Sequence, residues 1–168
     1  MKKAKFAALL LVLAFALMGA AFAAWTETLN INGSVATGNL DVAFSSATSN
    51  DPQGTNDPDQ NYDVGVTTAT ISDDQNTLTI TAANTYPGYT ATVTYKVKNT
   101  GSIPVKLTGV TVNNSHSQIT VSATQPNNAI IPVGGEWEGT ITHTVNDNAA
   151  ENATYTYTAT VNAVQFNQ

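Results

Sequence analysis

The sequence predicts an all-β fold in which two antiparallel sheets pack as a sandwich of the jelly-roll type, preceded by an N-terminal signal helix. Three observations support this prediction. Apolar and polar residues alternate with a period of two in several segments, no segment after residue 24 has helical periodicity, and Thr and Asn, which favour strands and turns, are abundant. The chain has 168 residues, 42% of them hydrophobic, so it is long enough for one domain with its own core.

The N-terminal segment has the three parts of an export signal. Three lysines among the first five residues precede an uncharged run, and small residues end it. Ala21 and Ala23 form the small-x-small pattern that signal peptidases accept, which predicts a signal peptide at 1–23 and cleavage before Ala24. The alternative is an uncleaved anchor, because the twenty uncharged residues 6–25 are long enough to span a bilayer.

The charge pattern excludes two classes of partner. All six basic residues are Lys, and three of them belong to the predicted signal. After cleavage three lysines face twelve acidic residues, so the formal net charge changes from -6 to -9. Such a chain is repelled by phosphate backbones and anionic headgroups. We therefore expect no nucleic-acid partner, and membrane contact only through the signal before its cleavage.

Four segments after the predicted signal show the clearest alternation and are predicted to be strands. Each has one Thr-rich or Asn-rich face and one face suited to a core, as expected where two antiparallel sheets cover the same interior. The inward phases, of which only Glu27 is charged, are Trp25, Glu27, Leu29 and Ile31; Tyr89, Ala91, Val93, Tyr95 and Val97; Trp137, Gly139, Ile141, His143 and Val145; and Tyr155, Tyr157, Ala159 and Val161.

Two further strands change phase at a glycine, which predicts a β-bulge at Gly38-Asn39 and another at Thr108-Gly109. The longest stretch without alternation is 45–61, which is rich in Ser, Asn, Asp and Pro. We expect this stretch to be a surface loop that pairs with no strand. The sandwich domain is predicted to span 33–168.

Four aspartates in or beside this loop, Asp51, Asp57, Asp59 and Asp63, are weak candidates for calcium binding, because oxygen-rich loops bind this ion. They do not follow the Asp-x-Asp-x-Asp-Gly pattern of the twelve-residue calcium loop. We therefore favour a solvated acidic loop, and we expect no other metal or cofactor.

The chain offers few residues for catalysis, with two His and no Cys. His116 follows a turn-forming stretch and is expected to be a solvated loop residue. His143 is in phase with the apolar face of its strand, which predicts a hydrogen-bonded structural residue. Glu136 and Glu138 begin the same strand and are expected to keep its outer face soluble. Because no zinc-ligand or nucleophile-base pattern is present, we predict that the chain is not an enzyme.

Four short motifs follow one another along the chain: WTETLNINGSVATGNLDV at 25–42, YPG at 86–88, YKVKNTGSIP at 95–104 and AVQFN at 163–167. In this order they resemble the TasA/camelysin family of exported biofilm-fibre proteins. The resemblance implies a jelly-roll fold, export through a signal peptidase, and extracellular homopolymeric fibres built by donor-strand exchange. Camelysin-type members have also been labelled metallopeptidases, but this activity is not carried over because the chain has no set of zinc ligands.

Carried onto this chain, the resemblance makes 24–32 the donor strand, which cleavage frees for insertion into a sheet of the next copy. The alternation places Trp25, Leu29 and Ile31 on the inserted face. Glu27 shares this face, so it needs a polar partner or a position at the edge of the acceptor groove. The alternative is that this strand folds back into its own domain.

The sequence thus predicts a secreted, structural filament subunit in the extracellular matrix or at the cell surface, whose partner is a second copy of itself. The alternative interpretation is a monomeric cell-surface adhesin or a carbohydrate-binding sandwich. In that case Tyr62, Tyr86 or Trp137 would be the exposed aromatic side chain that contacts the sugar.

We predict that the exported protein begins at Ala24, because cleavage follows the small residue Ala23. N-terminal sequencing of the secreted protein should therefore read Ala-Trp-Thr-Glu. An intact or blocked Met1 would contradict cleavage and support the anchor.

Overall fold

The structure of the protein, a computed structural model, describes residues 2–22 and 31–168, and of 19–22 it describes the backbone alone. The chain divides into two compact units, Met1–Ala36 and Thr37–Gln168. We call the second unit the two-sheet body.

One helix and nine strands lie within the described residues. The helix is α1 (Lys2–Phe22), and the strands are β1 (Val42–Ser49), β2 (Val66–Ile71), β3 (Leu78–Thr85), β4 (Thr90–Asn99), β5 (Val105–Asn113), β6 (Ile119–Ala123), β7 (Ile130–Ile131), β8 (Glu136–Val145) and β9 (Ala153–Gln165).

Helix α1 consists mainly of Ala and Leu, which are strong helix formers. The predicted N-terminal helix is therefore confirmed, and its role as an export signal stays a prediction. Ala21 lies in α1, whereas Ala23 and Ala24 lie outside the described residues. Within the described part of the chain, no helix combines the length and the apolar character that a membrane crossing requires.

The strands form two antiparallel sheets, which confirms the all-β, two-sheet part of the predicted fold class, whereas the jelly-roll type stays a prediction. The first sheet has four strands in the order β1-β4-β8-β6, and the second has five in the order β2-β3-β9-β5-β7. Consecutive strands lie in different sheets except for the β2-β3 hairpin, so the chain crosses repeatedly between the two. Most strand pairs therefore join segments that are distant in sequence.

The predicted alternation sets which side of each sheet is buried. In β4, for example, Ala91, Val93, Tyr95 and Val97 are at most 1% exposed. Both sheets contribute to one main core, whose largest fully buried side chains include Tyr95 and Ile141 from the first sheet. Those from the second sheet include Leu78, Ile80 and Tyr157.

The outward phases of the strands form rows of threonines. Thr92 lies opposite Thr142 and their hydroxyl oxygens are 2.9 Å apart, while those of Thr90 and Thr144 are 3.1 Å apart. A β-branched side chain loses little freedom on a pleated surface, so these rows stabilise the sheet without adding charge.

One of the two predicted bulges is confirmed and the other is wrong. The register of β5 against β9 shifts between Leu107 and Gly109, as the sequence predicted. By contrast, 31–41 belongs to no strand, so no bulge exists at Gly38-Asn39. The reason is that this part of the chain bonds to a turn of the two-sheet body and not to a strand ladder. The bulge of β1 lies further on, between Phe44 and Ser46.

The prediction of a loop at 45–61 is also wrong at its start. Residues up to Ser49 continue β1 and pair with β4, with Ala47 opposite Tyr95 and Thr48 opposite Thr94. The Ser and Ala side chains of this segment carry too weak an apolar signal to mark a strand. Pairing with the strongly alternating β4 overrides this weak local preference.

We predict that Tyr95→Phe stabilises the protein, because the Tyr95 hydroxyl is buried and finds no hydrogen-bond partner among the described residues. Burial also raises its pKa to about 12. Removing an unpaired buried hydroxyl should add about 1 kcal/mol to the free energy of unfolding. Tyr157→Phe is the matched control, because it removes a hydroxyl that lies 3.0 Å from His143 Nδ1, and it should lower that free energy. Urea unfolding measures both variants, and a destabilised Tyr95→Phe protein would contradict the prediction.

Candidate functional site

The segment before β1 carries the predicted donor strand, and its described part is 31–41. We call 31–41 the arm. It contains no helix or strand, Ile31 is 86% exposed, and Val35 is 93% exposed. The other predicted donor residues lie outside the described residues; they are Trp25, Glu27 and Leu29.

The end of the arm is fixed to the turn between β4 and β5. Asn39 donates its N–H to Ser102 Oγ (2.8 Å) and accepts the Ser102 N–H at its carbonyl oxygen (2.9 Å). The Asp41 carbonyl accepts the N–H groups of Thr100 (3.1 Å) and Gly101 (3.2 Å), and its carboxylate accepts the Thr100 hydroxyl (2.8 Å). A Cβ on Gly101 would lie 2.4 Å from the Asn39 carbonyl oxygen, so only glycine permits this approach. The chain therefore enters β1 from a fixed point.

Strand β5 has an incompletely paired edge. Strand β7 pairs only with Val105 and Lys106, although β5 is nine residues long. Further along β5, the side-chain amide of Gln125 accepts the Val110 N–H (3.0 Å) and donates to the Val110 carbonyl (3.3 Å). Backbone polar groups near a core must be paired, and here a side chain supplies the pairing in place of a strand. An added strand could supply the same bonds.

The acidic loop between β1 and β2 is organised by Asp57, which is 2% exposed. Its Oδ1 accepts the N–H groups of Val64 (2.9 Å) and Gly65 (3.0 Å), and its Oδ2 accepts the Tyr86 hydroxyl (2.8 Å). The carboxylate thus holds the end of the loop against the residue that follows β3. This is the role that a bound cation often has in acidic loops.

The expectation of a solvated acidic loop is therefore wrong for two of its four aspartates. Asp51 and Asp57 are buried, whereas Asp59 and Asp63 are exposed. Tyr89, 38 positions away in sequence, donates to Asp51 Oδ2, and Tyr86 donates to Asp57, which composition could not indicate. Asp51 Oδ1 is buried and finds no partner among the described residues. Within the described residues, no three His, Cys, Asp or Glu side chains are grouped so that they could hold a metal ion.

A chain of buried hydrogen bonds connects Asp51 with the interior. Tyr89 donates its hydroxyl proton to Asp51 Oδ2, so the Thr67 hydroxyl, 2.8 Å away, donates to Tyr89. Thr67 Oγ1 then accepts the proton on His143 Nε2 at 3.2 Å. His143 Nδ1 is left as the acceptor for the Tyr157 hydroxyl at 3.0 Å. The network therefore assigns the Nε2–H tautomer to His143.

Burial shifts the pKa values of this chain. It lowers the pKa of His143 to about 4, so the imidazole is neutral at pH 7. Burial also raises the pKa of Asp51, against the opposing effect of the bond from Tyr89. The pKa values of Tyr89 and Tyr157 are raised by burial as well. A neutral His143 that donates at Nε2 and accepts at Nδ1 fits this environment.

Two of the three aromatic residues proposed for sugar binding lie together. Tyr62 and Tyr86 line one surface pocket of about 420 Å³, and Tyr62 is 74% exposed. Trp137 is not part of that pocket. It is half-buried, packs against the core, and meets the ring of Tyr95 edge to face with centroids 6.0 Å apart. We therefore assign Trp137 to packing.

The two histidines and the two glutamates that were considered for catalysis lie in structural positions. The buried, hydrogen-bonded position predicted for His143 is confirmed. His116 is half-buried and not fully solvated as expected, because its ring packs edge to face against Tyr155 and its Nε2 lies 3.1 Å from the Thr156 carbonyl. Glu136 and Glu138 begin β8 with exposed side chains, as predicted.

No family model, no curated protein and no solved structure matches this chain. The resemblance to the TasA/camelysin proteins thus rests on the sequence motifs alone and stays a prediction. The arm, the edge of β5, and the acidic loop with its pocket are therefore the candidate functional sites.

We predict that His143 keeps the neutral Nε2–H form down to about pH 5 and that acid lowers stability through this residue. The unfolded chain protonates its histidine near the usual pKa of about 6.5, whereas the folded pKa is about 4. The neutral His143 therefore leaves the free energy of unfolding undiminished above pH 6.5. Between pH 6.5 and pH 4 that free energy falls by about 1.4 kcal/mol per pH unit, because the unfolded chain binds the proton and the folded protein does not. Asp51, with its raised pKa, acts in the opposite direction.

Nitrogen-15 NMR of the imidazole identifies the tautomer and its titration. Urea unfolding at pH 7 and pH 5, compared with His143→Gln, isolates the contribution of this residue to stability. A proton on Nδ1, or titration near pH 6.5 in the folded protein, would contradict the assigned network.

Proposed function

We propose that this chain is a secreted structural subunit that polymerises into extracellular filaments of the biofilm-matrix type. In this proposal the two-sheet body is a jelly-roll sandwich, a signal peptidase removes α1, and the freed residues 24–32 pair with a sheet of the next subunit. The proposed role requires no catalytic residue and no cofactor. The observation that carries it is the exposed arm, which has strand-forming apolar residues and belongs to neither sheet over its described length.

The first support comes from the independence of the body. Thr37–Gln168 is a compact unit, and every described core residue lies at Val42 or later. An apolar side chain such as Ile31, at 86% exposure, gains roughly 1.5 to 3 kcal/mol if it becomes fully buried. A neighbouring subunit could provide that burial.

The second support is the fixed exit of the chain. The bonds of Asn39 and Asp41 to the turn at 99–102 hold the chain where it enters β1. A donor segment that starts from a fixed point loses less freedom when it binds than one on a mobile tether. The donor segment of every subunit in a polymer would then start from the same point of the body, as a repeating contact requires.

The third support is the edge of β5, which we propose as the acceptor. Its first two residues pair with the short β7, and the Leu107 N–H donates to the Ala129 carbonyl (2.9 Å), so the open part of the edge follows Leu107. There Gln125 bonds with Val110 where a longer strand would do so. Ile130 of β7 is 59% exposed and Val133 is 54% exposed, so apolar surface adjoins the same edge. Displacing one side-chain amide costs less than separating two paired strands.

The rows of threonines on the first sheet carry no charge, and the charges on the outer face of β4 and β8 lie at one end, where Lys96 and Lys98 face Glu138 and Glu136. The uncharged part of this face offers no charge repulsion to a second copy. The resemblance to exported fibre proteins agrees with this proposal.

A matched pair of substitutions in the arm tests the proposal. Ile31→Asp places a charge on the predicted inserted face, whereas Asn30→Asp adds the same charge one residue earlier, on the opposite face. We expect Ile31→Asp to abolish filaments and Asn30→Asp to preserve them, because an unpaired carboxylate is costly only where it is buried. Electron microscopy of the secreted variants gives the result.

Deletion of 24–32 completes the test and should yield folded monomers, whose circular dichroism spectrum still shows β structure. Filaments that persist after this deletion would contradict donor-strand exchange. A Gln125→Ala variant probes the acceptor, and it should still polymerise if the incoming strand replaces the bonds of Gln125.

A further inference from the structure

The pocket beside the acidic loop has a chemistry that polymerisation does not explain. It lies in the two-sheet body and has a volume of about 420 Å³, within the range of roughly 300 to 1,000 Å³ that small-ligand sites occupy. The residues that line it are Asp57, Gln60, Tyr62, Val64, Asn84, Thr85, Tyr86, Glu151 and Asn152.

The inner wall of the pocket is held rigidly. The Tyr86 hydroxyl donates to Asp57 Oδ2 (2.8 Å), and the other oxygen of that carboxylate accepts the Val64 N–H (2.9 Å). The ring of Tyr86 also packs edge to face against Tyr89, with centroids 5.7 Å apart. The Asn84 side-chain amide donates to the Val64 carbonyl at 2.5 Å. A wall fixed in this way loses little freedom when a ligand binds.

The outer wall combines an exposed aromatic ring with polar groups. Tyr62 is 74% exposed, although a large aromatic side chain gains by burial. Near it, Glu151 offers a carboxylate, and Gln60 and Asn152 offer amides that can both donate and accept. Glu151, Gln60 and Asn152 are exposed, so these groups are accessible.

The pocket contains carboxylates but no Lys or His, so it disfavours anions. The carboxylate of Asp57 is already used by three donors, which leaves Glu151 as the one free charge among the lining residues. A single exposed carboxylate gives a cation weak attraction. A neutral ligand with several hydroxyl groups fits better, because it can bond to the amides and Glu151 while its C–H face covers Tyr62.

We propose that this pocket binds a neutral saccharide, with one sugar ring stacked on Tyr62 and its hydroxyl groups bonded to Glu151 and the neighbouring amides. The pocket lies apart in sequence from the arm and from the edge of β5. A filament subunit with this site would attach the filament to a neutral polysaccharide of its surroundings. Sugar binding does not depend on polymerisation, so each property can fail without the other.

The test uses the full secreted protein on an array of neutral, anionic and cationic oligosaccharides, followed by calorimetry with the neutral oligosaccharide that gives the strongest signal. We expect binding of neutral oligosaccharides. Tyr62→Ala should weaken it about tenfold, the usual effect of removing an exposed aromatic anchor, and Glu151→Gln should weaken it several-fold. Both residues are exposed, so neither variant should affect folding.

Phe166→Ala is the matched control, because Phe166 is 42% exposed and does not line the pocket. It should bind as tightly as the unaltered protein. The proposal is overturned if no neutral oligosaccharide binds, if binding is confined to charged oligosaccharides, or if Tyr62→Ala and Glu151→Gln bind as tightly as Phe166→Ala.

Discussion

The arrangement of the two-sheet body depends on one chain of buried hydrogen bonds between its sheets. The chain runs from Tyr157 in β9 through His143 in β8 and Thr67 in β2 to Tyr89 and Asp51. Each of these residues is at most 2% exposed within the protein, and an unpaired buried polar group costs about 1 to 3 kcal/mol. Since each bond in the chain needs the next group in one orientation, the network favours a single register of the sheets and a single tautomer of His143. A purely apolar core could tolerate small slips between layers, whereas this one penalises them.

The same network fixes the loop that carries the proposed sugar site. Asp51 accepts the proton of Tyr89 at the start of the loop, and Asp57 binds backbone groups at its end together with Tyr86. Two carboxylates, anchored by two tyrosines close together in sequence, thus give a polar loop one conformation without disulfide bonds. The proposed filament contact relies on a similar device, because backbone and hydroxyl bonds at 99–102 fix the point where the arm leaves the body. In the acidic loop and at the end of the arm, hydrogen bonds within the body thus position residues that would contact another molecule.

Sequence patterns could predict those features that depend on neighbours along the chain. The alternation from Tyr89 to Val97 identified a central strand and its buried face, and Gly109 marked the bulge in β5. Strand residues 45–49 were missed because Ser and Ala give little apolar contrast, and only the partner strand makes them part of a sheet. Burial of Asp51 and Asp57 was missed because their tyrosine partners, Tyr89 and Tyr86, lie in the segment that follows β3. The pairing of Tyr62 with Tyr86, and the separation of Trp137 from both, likewise depends on how the chain crosses between the sheets.

The proposed filament requires that one subunit completes a sheet of the next. Electron cryo-microscopy of the secreted protein tests it most directly, because it shows both the assembly and the path of the N-terminal segment. We expect helical filaments in which residues 24–32 of each subunit form an additional strand along β5 of its neighbour. Monomers, or filaments in which this segment pairs within its own subunit, would contradict it.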